Sequence, residues 1–318
     1  MLWWTIMKLK FGGPKAREDA ASRLGYARDR RAVGALITTL RNTDEDKAVR
    51  FRAAMGLGDI VERESEKELV TIRAVLVEPL VAMLTDPNEV IRSTVASLLG
   101  ELRDKRAVEG LGAALKEARP RPADHLGACP FAAEALGKIG GPRAVELLVG
   151  ALEDPDRRVR EEAADGLDGL GWKPANNRER ALRAIVGNRF EEVKRIGEAA
   201  IEPLLGSLAF VGVALTLGEM AGEREVQPLV AALKNHDEDV RAGAAEALGW
   251  LARRGAGESV LQALNVQAVN PLVGALRDQS AYVRKRAAEA LGCIRDPRAV
   301  RALADYRKRE KAKPASAA

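Results

Sequence analysis

Aromatic residues make up only 4% of this 318-residue chain, although 47% of it is hydrophobic. Ala, Leu and Val carry the apolar content, which predicts a core of small and aliphatic side chains and favours closely packed helices. The only cysteines are Cys129 and Cys293. Two are too few for a disulfide framework, so a reducing compartment and a cytoplasmic location are expected. The two histidines, His125 and His236, have no second ligand at metal spacing. There is no Gly-rich phosphate loop and no nucleophile elbow. A catalytic reading therefore has nothing to rest on, and neither a metal nor a cofactor is expected. No apolar run reaches membrane-spanning length. The opening Met1-Leu2-Trp3-Trp4-Thr5-Ile6-Met7 is too short for a signal-peptide core, and its positive charges follow it. It reads as an apolar lid (residues 1–13) over what comes next, with an interfacial or partner anchor as the alternative.

What is present is repetition. An acid or amide is followed six residues later by an aliphatic-Arg pair, then by two small residues and a Leu-Gly. The phrase runs Asp44…Val49-Arg50…Ala53-Ala54…Leu57-Gly58 and Asp86…Ile91-Arg92…Val95-Ala96…Leu99-Gly100. It returns at Asp154…Arg160, Asn235…Arg241 and Asp278…Arg284. Fixed-period self-similarity of this kind is the mark of a solenoid. With the Arg as position zero, positions −1, +3, +4 and +7 are small or apolar and fall on one helical face. Asp46, Asn88, Asp156, Asp237 and Ser280 are placed to cap that second helix. A Val/Ile-x-Pro-Leu step at Pro79, Pro203, Pro228 and Pro271 puts a proline in the first turn of each first helix. Gly at +8 either allows close backbone approach or ends the helix.

These residues resemble the short HEAT repeats of the phycobilisome-lyase-like class, whose unit reads roughly D-P-x-x-x-V-R-x-x-A-A-x-A-L-G. The likeness covers residues 14 to 306. It implies an all-α, right-handed α-α superhelix of the armadillo type: a HEAT-like solenoid of about eight stacked helical hairpins. With degenerate copies at Arg17, Cys129 and Phe210, the zero positions are 17, 50, 92, 129, 160, 210, 241 and 284. The resemblance implies a ladder in which Asp44, Asp86, Asp154 and Asp278 accept from repeat arginines, making those arginines structural. Cys129 takes an Arg position beside Pro130 and reads as a packing residue. The related deoxyhypusine hydroxylases carry repeated His-Glu pairs for a di-iron centre, whereas here His125 precedes Leu and His236 precedes Asp.

The expected organisation is repeats over 14–171, an irregular junction over 172–220, repeats over 221–306 and a basic, disordered tail over 307–318. The junction follows from the Phe210 unit, which lacks its turn, cap and ladder Asp; two extra short helices are expected at 178–187 and 189–196. The span from Lys116 to Ala128, with Arg119-Pro120-Arg121-Pro122, reads as a projecting loop. The tail holds five bases and one acid, so +4 of the net charge of +5 lies there.

In HEAT proteins the second helices line the concave face, which here exposes positions +1, +2, +5 and +9. Over eight units these positions carry eleven acids (18, 19, 59, 101, 134, 161, 162, 165, 219, 246, 289) against four bases (52, 138, 285, 286). Such a face repels phosphate, which argues against nucleic acid there. It suits a protein or peptide partner with basic segments. The expected contact residues are Phe51, Arg52, Met55, Phe131, Glu134, Glu161, Glu162, Asp165, Val211, Leu215, Glu246 and Trp250. The expected function is a non-catalytic interaction scaffold. One alternative, following the family name, is a lyase-like subunit acting on the bilin of a phycobiliprotein. Another is nucleic-acid binding through the basic tail or the outer face.

Overall fold

The computed structural model describes residues 1–27, 29–116, 128–255 and 257–312, and these contain helices and turns but no strand. The chain divides into two compact units, residues 1–173 and 174–318. The first unit holds α1 (Leu2–Phe11), α2 (Pro14–Gly25), α3 (Arg30–Arg41), α4 (Lys47–Arg63) and α5 (Glu66–Ala82). It continues with α6 (Glu89–Leu102), α7 (Val108–Lys116), α8 (Ala128–Ile139), α9 (Pro142–Ala151) and α10 (Arg157–Gly169). The second unit holds α11 (Asn177–Val186), α12 (Phe190–Ile196), α13 (Ile201–Gly206), α14 (Val213–Met220) and α15 (Val226–Ala232). Its remaining helices are α16 (Glu238–Arg254), α17 (Glu258–Ala263), α18 (Val269–Ala275), α19 (Ala281–Cys293) and α20 (Pro297–Ala312).

The second helix of each hairpin starts where its turn chemistry puts it. Asp46, Asn88, Asp156 and Asp237 each accept the backbone N–H two residues on, at 2.8–3.0 Å. Ser280 holds the cap position but makes no side-chain bond. Just upstream, Asp86, Asp154, Asn235 and Asp278 close their own turns by accepting the N–H of Asn88, Asp156, Asp237 and Ser280. Pro203, Pro228 and Pro271 lie in the first turn of α13, α15 and α18. Pro79 does not. It sits inside α5, because a Ser65–Glu68 capping box starts that helix four turns earlier.

Within the first unit α2, α4, α6, α8 and α10 pack side by side in chain order, as do α14, α16 and α19 in the second. Their apolar stripes meet the first helices in cores that bury Leu24, Leu36, Leu57, Leu99 and Leu136 in one unit and Leu204, Leu217, Leu248 and Leu272 in the other. Full burial contributes about 1.5–3 kcal/mol per such side chain. At the leading end α1 packs on α2 and α3 through Leu9, leaving Trp3, Trp4 and Phe11 exposed.

The small residues set how closely the second helices approach. Gly25, Gly100, Gly137 and Gly249 at +8 meet Gly56, Ala135, Gly166 and Ala290 at +6 of the next unit. A Cβ at Gly100 would lie 2.9 Å from Ala135 Cα, and one at Gly249 3.0 Å from Ala290 Cα. These glycines serve close approach. Gly58 and Gly292 are the exceptions, with open space where their Cβ would be.

Arginines at position zero lace the turns together. Nη1 of Arg92, Arg160, Arg241 and Arg284 donates to the carbonyl of the turn's first residue at 2.7–2.8 Å. Arg50, Arg241 and Arg17 reach forward to the next turn. Arg50 holds Asp86 with both terminal nitrogens, each partner almost fully buried, while its Nε donates to Leu40 O at 2.9 Å. Arg241 holds Asp278 through Nε and Nη2 at 2.8 and 2.9 Å, and those bonds keep the Asp278 carboxyl below the usual carboxylate range. The first rung departs from expectation: Arg17 binds Glu45 at 2.8 and 3.1 Å, not Asp44. Asn42 draws Asp44 into a local turn through the Asp44 N–H, and the longer Glu45 side chain spans the gap. In the unit before Asp154 the zero position is Cys129, whose side chain is outside the described residues.

The short helices expected over 178–187 and 189–196 are α11 and α12. With α13 and α14 they pack into the second unit's own core through Ala181, Ile185 and Val193. The expected basic tail is corrected in part. Residues 307–312 continue α20, because the apolar face of that helix (Ala299, Leu303, half-buried Tyr306) packs on the preceding helices. Residues 313–318 lie outside the described set, as do residues 117–127 of the expected loop, including His125.

Two predictions follow from the rungs and the glycines. Asp86→Ala strands a buried guanidinium and lowers the stability of the first unit by about 3–5 kcal/mol, whereas Arg52→Ala, which breaks an exposed pair with Glu18, costs about 1 kcal/mol or less. In chemical denaturation, Gly58→Ala raises stability by about 0.5–1 kcal/mol, while Gly100→Ala lowers it by about 1–3 kcal/mol through overpacking.

Candidate partner-binding surface

The side-by-side second helices of the first unit bring eight of the expected contact residues onto one layer of that unit. Phe51, Arg52 and Met55 come from α4, Phe131 and Glu134 from α8, and Glu161, Glu162 and Asp165 from α10. Met55, Arg52, Glu161 and Asp165 are exposed, and Phe51, Phe131, Glu134 and Glu162 are half-buried. The remaining four, Val211, Leu215, Glu246 and Trp250, belong to the second unit.

In that second unit the expectation needs correcting. Val211 is 91% exposed but is not on a helix: with no turn or cap of the repeat type, the chain makes a tight turn through residues 207–212, and α14 begins only at Val213. Positions +1 and +2 of α16, Ala242 and Gly243, are buried. The turn after α13 crosses there, and a Cβ on Gly243 would collide with the Leu208 carbonyl oxygen. What α16 presents is Glu246 and Trp250, both half-buried. The Trp250 indole N–H points to Glu246 Oε1 at 3.5 Å, and the Arg253 guanidinium lies 4.6 Å from its ring centroid.

The electrostatics also differ from a count of acids. Several acids of these positions are spent on neighbours. Glu18 pairs with Arg52 at 3.1 Å, Glu101 and Glu134 with Lys138 at 2.6 and 2.7 Å, and Glu219 with Lys194 at 2.6 Å. Glu161 takes Arg157 at 2.7 Å, and Glu246 and Glu289 share Arg286 at 3.5 and 3.0 Å. Lys194 and Arg157 stand outside the four surface positions, so the count missed them. The Arg157–Glu161 pair is readable as an i,i+4 spacing. The Lys194–Glu219 pair is not, because it joins α12 to α14 across 25 residues.

One stretch stays acidic. On α8 and α10, Glu134, Glu161, Glu162 and Asp165 crowd together. The Glu162 carboxyl is pushed above its usual range, first by burial and then by Glu134 and Asp165, with Arg158 opposing. The local field is therefore negative despite Lys138 and Arg157.

Among the described residues no group of His, Cys, Asp and Glu is placed to hold a metal ion, and no helix is long and apolar enough to cross a membrane. His236 is exposed in a turn, where its carbonyl accepts from Arg241 at 3.0 Å. Cys293 is half-buried, with its thiol against Glu289 O.

A family model described as HEAT repeats matches residues 130–204 and 252–318. The chain is 35% identical over 169 residues to phycocyanobilin lyase subunit alpha of Picosynechococcus sp., covering 52% of this chain and 59% of that protein. It is 30% identical over 145 residues to deoxyhypusine hydroxylase of Danio rerio, covering 46% of this chain and 42% of that one. The chain thus spans about half the length of these curated relatives. Among solved structures, the complex of CpcE and CpcF of phycocyanin lyase from Nostoc sp. PCC7120 is similar at a TM-score of 0.43 and 22% identity, covering 84% of this chain and 93% of that one.

The raised Glu162 carboxyl gives a signed pH dependence. Between the ordinary carboxylate value and the raised one, the folded state binds more protons than the unfolded state, so stability falls as pH rises through that window. Glu162→Gln escapes this loss. It melts higher than the parent at pH 7, and the difference closes as pH drops below about 4, under the ordinary Glu value; paired thermal melts across that range are the measurement.

Proposed function

Starting from a HEAT-repeat protein related to phycocyanobilin lyase subunit alpha and deoxyhypusine hydroxylase, we propose that this chain is a non-catalytic scaffold that binds a protein or peptide partner. The partner carries Lys or Arg beside aliphatic residues. It lies on the second-helix layer of the first unit, with its charges against Glu134, Glu161, Glu162 and Asp165. The carrying observation is the crowding of acids around half-buried Glu162, whose carboxyl is raised first by burial and then by Glu134 and Asp165. An incoming cation relieves that repulsion, which favours encounter and register more than raw affinity. Phe51, Met55 and Phe131, half-buried to exposed on the same layer, supply the apolar contact. Phosphate groups meet the wrong sign of charge there.

A second reading has one observation in its favour, the 35% identity to a lyase subunit. On that reading the partner is a phycobiliprotein and the chain assists attachment or removal of its bilin.

Peptide display against the full chain separates the two. The scaffold reading expects enrichment of basic-aliphatic peptides, binding that weakens with salt, and loss of about tenfold or more in affinity when Glu134, Glu162 and Asp165 are reversed to Lys. Enrichment of acidic peptides, or affinity indifferent to the reversal, would end it. Mixing the chain with phycocyanobilin and an apo-phycobiliprotein yields no visible-absorbing adduct on the scaffold reading and a stable one on the lyase reading.

A further inference from the structure

The arginine ladder has a direction. Each forward rung among the described residues runs from the guanidinium of one turn to the acid of the next. Arg284, at the zero position of α19, makes no such rung among the described residues. It grips its own turn as Arg241 does, with Nη1 donating to Asp278 O and Gln279 O at 2.8 Å each. In Arg241 the other edge, Nε and Nη2, carries the rung to Asp278. The matching Nε of Arg284 is shielded from solvent and has no hydrogen-bond partner. Arg284 lines a cavity of about 290 Å³ together with Leu276, Arg277, Tyr306, Arg309 and Glu310. The lining sets three guanidinium groups against one carboxylate. Arg92 also has an orphaned Nε, but the next turn along the chain from it falls among residues outside the described set.

We propose that this cavity docks an acidic turn of a partner protein, whose Asp carboxylate completes the rung that starts at Arg284. The fit is chemical and geometric. Inside the chain the same guanidinium edge takes an Asp presented by the turn one hairpin ahead, with two parallel N–H···O bonds, the arrangement in which Arg and carboxylate bind most strongly. Nothing is hydrogen-bonded to the Arg284 Nε, so an entering carboxylate displaces no existing bond there. Arg277 and Arg309, both exposed, draw the anion in and neutralise a second acid of the turn. The site involves only α18 to α20 and is independent of the acidic surface on α8 and α10.

The probe is a synthetic peptide copying residues 150–165, which carries Asp154 in an Asp-Pro-Asp turn and has six acids against three bases. Its control carries Asp154→Asn. With the full-length chain, the first peptide binds saturably and shifts the Arg284 Nε–H resonance. Binding falls by about tenfold or more with the control peptide, as the loss of a charge-assisted bond implies. Arg277→Glu and Arg309→Glu, exposed changes that leave the helices intact by circular dichroism, weaken it comparably. Equal binding of the two peptides, an unmoved Arg284 resonance, or indifference to Arg309→Glu each overturns the proposal. So does the same saturable shift with acetate or inorganic phosphate alone at equal concentration, which would make the cavity a free-anion pocket.

Discussion

The fold depends on an Asp that serves two masters at once. Asp86 and Asp278 each close their own turn by accepting an N–H two residues on, and each then receives the guanidinium of the preceding hairpin. The first bond fixes where a second helix begins, and the second fixes how far that helix sits from the one before. A core of Ala, Leu and Val cannot do this, because apolar burial is strong but directionless. A buried ion pair adds little net stability over an apolar substitute. Its contribution here is register: it penalises any slide of one hairpin along the next that would leave Arg50 without Asp86.

Register in turn allows the close approach of the second helices. The +8 glycine of one hairpin meets a Gly or Ala at +6 of the next, and a shift of a single residue would bring a side chain against backbone. Tight spacing then shapes the surface. It brings neighbouring +1, +2 and +9 residues within reach of one another, and Glu18–Arg52 and Glu101–Lys138 form across hairpins as a result. Most charge on the layer is consumed locally by such pairs. Where α8 meets α10, acids outnumber the cations paired with them, and there Glu162 holds its proton more tightly than a free glutamate.

The helical repeats were legible because their signals are local: cap, aliphatic-Arg pair, stripe of small residues, proline in a first turn. The forward rungs were legible wherever the repeat was regular, as at Arg50–Asp86 and Arg241–Asp278. Legibility failed where a distant segment decided the outcome. Glu45 in place of Asp44 depends on which side chain spans the gap to Arg17. The burial of Ala242 and Gly243 depends on the path of the turn at Leu208, which carries no repeat signal of its own. The continuation of α20 through Ala312 was masked by its charge: five bases and one acid suggested a solvated tail, yet Leu303 and Tyr306 on one face pack it in place. For the expected partner surface, the charge count left out Arg157 in the first unit and Lys194 in the second, because both act from other rows.

A directional ladder also makes the two ends of an array unlike. At the leading end the first donor, Arg17, is satisfied twice over, by Glu45 ahead and by the Gly12 carbonyl behind. That carbonyl comes from the turn between α1 and α2, so the terminal helix closes the ladder without needing an acid of its own. Arg284 has no equivalent solution: the side chain holds its own turn, and its Nε has no hydrogen-bond partner among the described residues. α20 covers the apolar stripe of α19, but among the residues lining the cavity at Arg284 it adds Arg309 as well as Glu310, so it does not neutralise the end. Apolar burial has no direction, so α1 and α20 serve it alike, whereas the hydrogen-bonding pattern has one and is closed at Arg17 but not at Arg284.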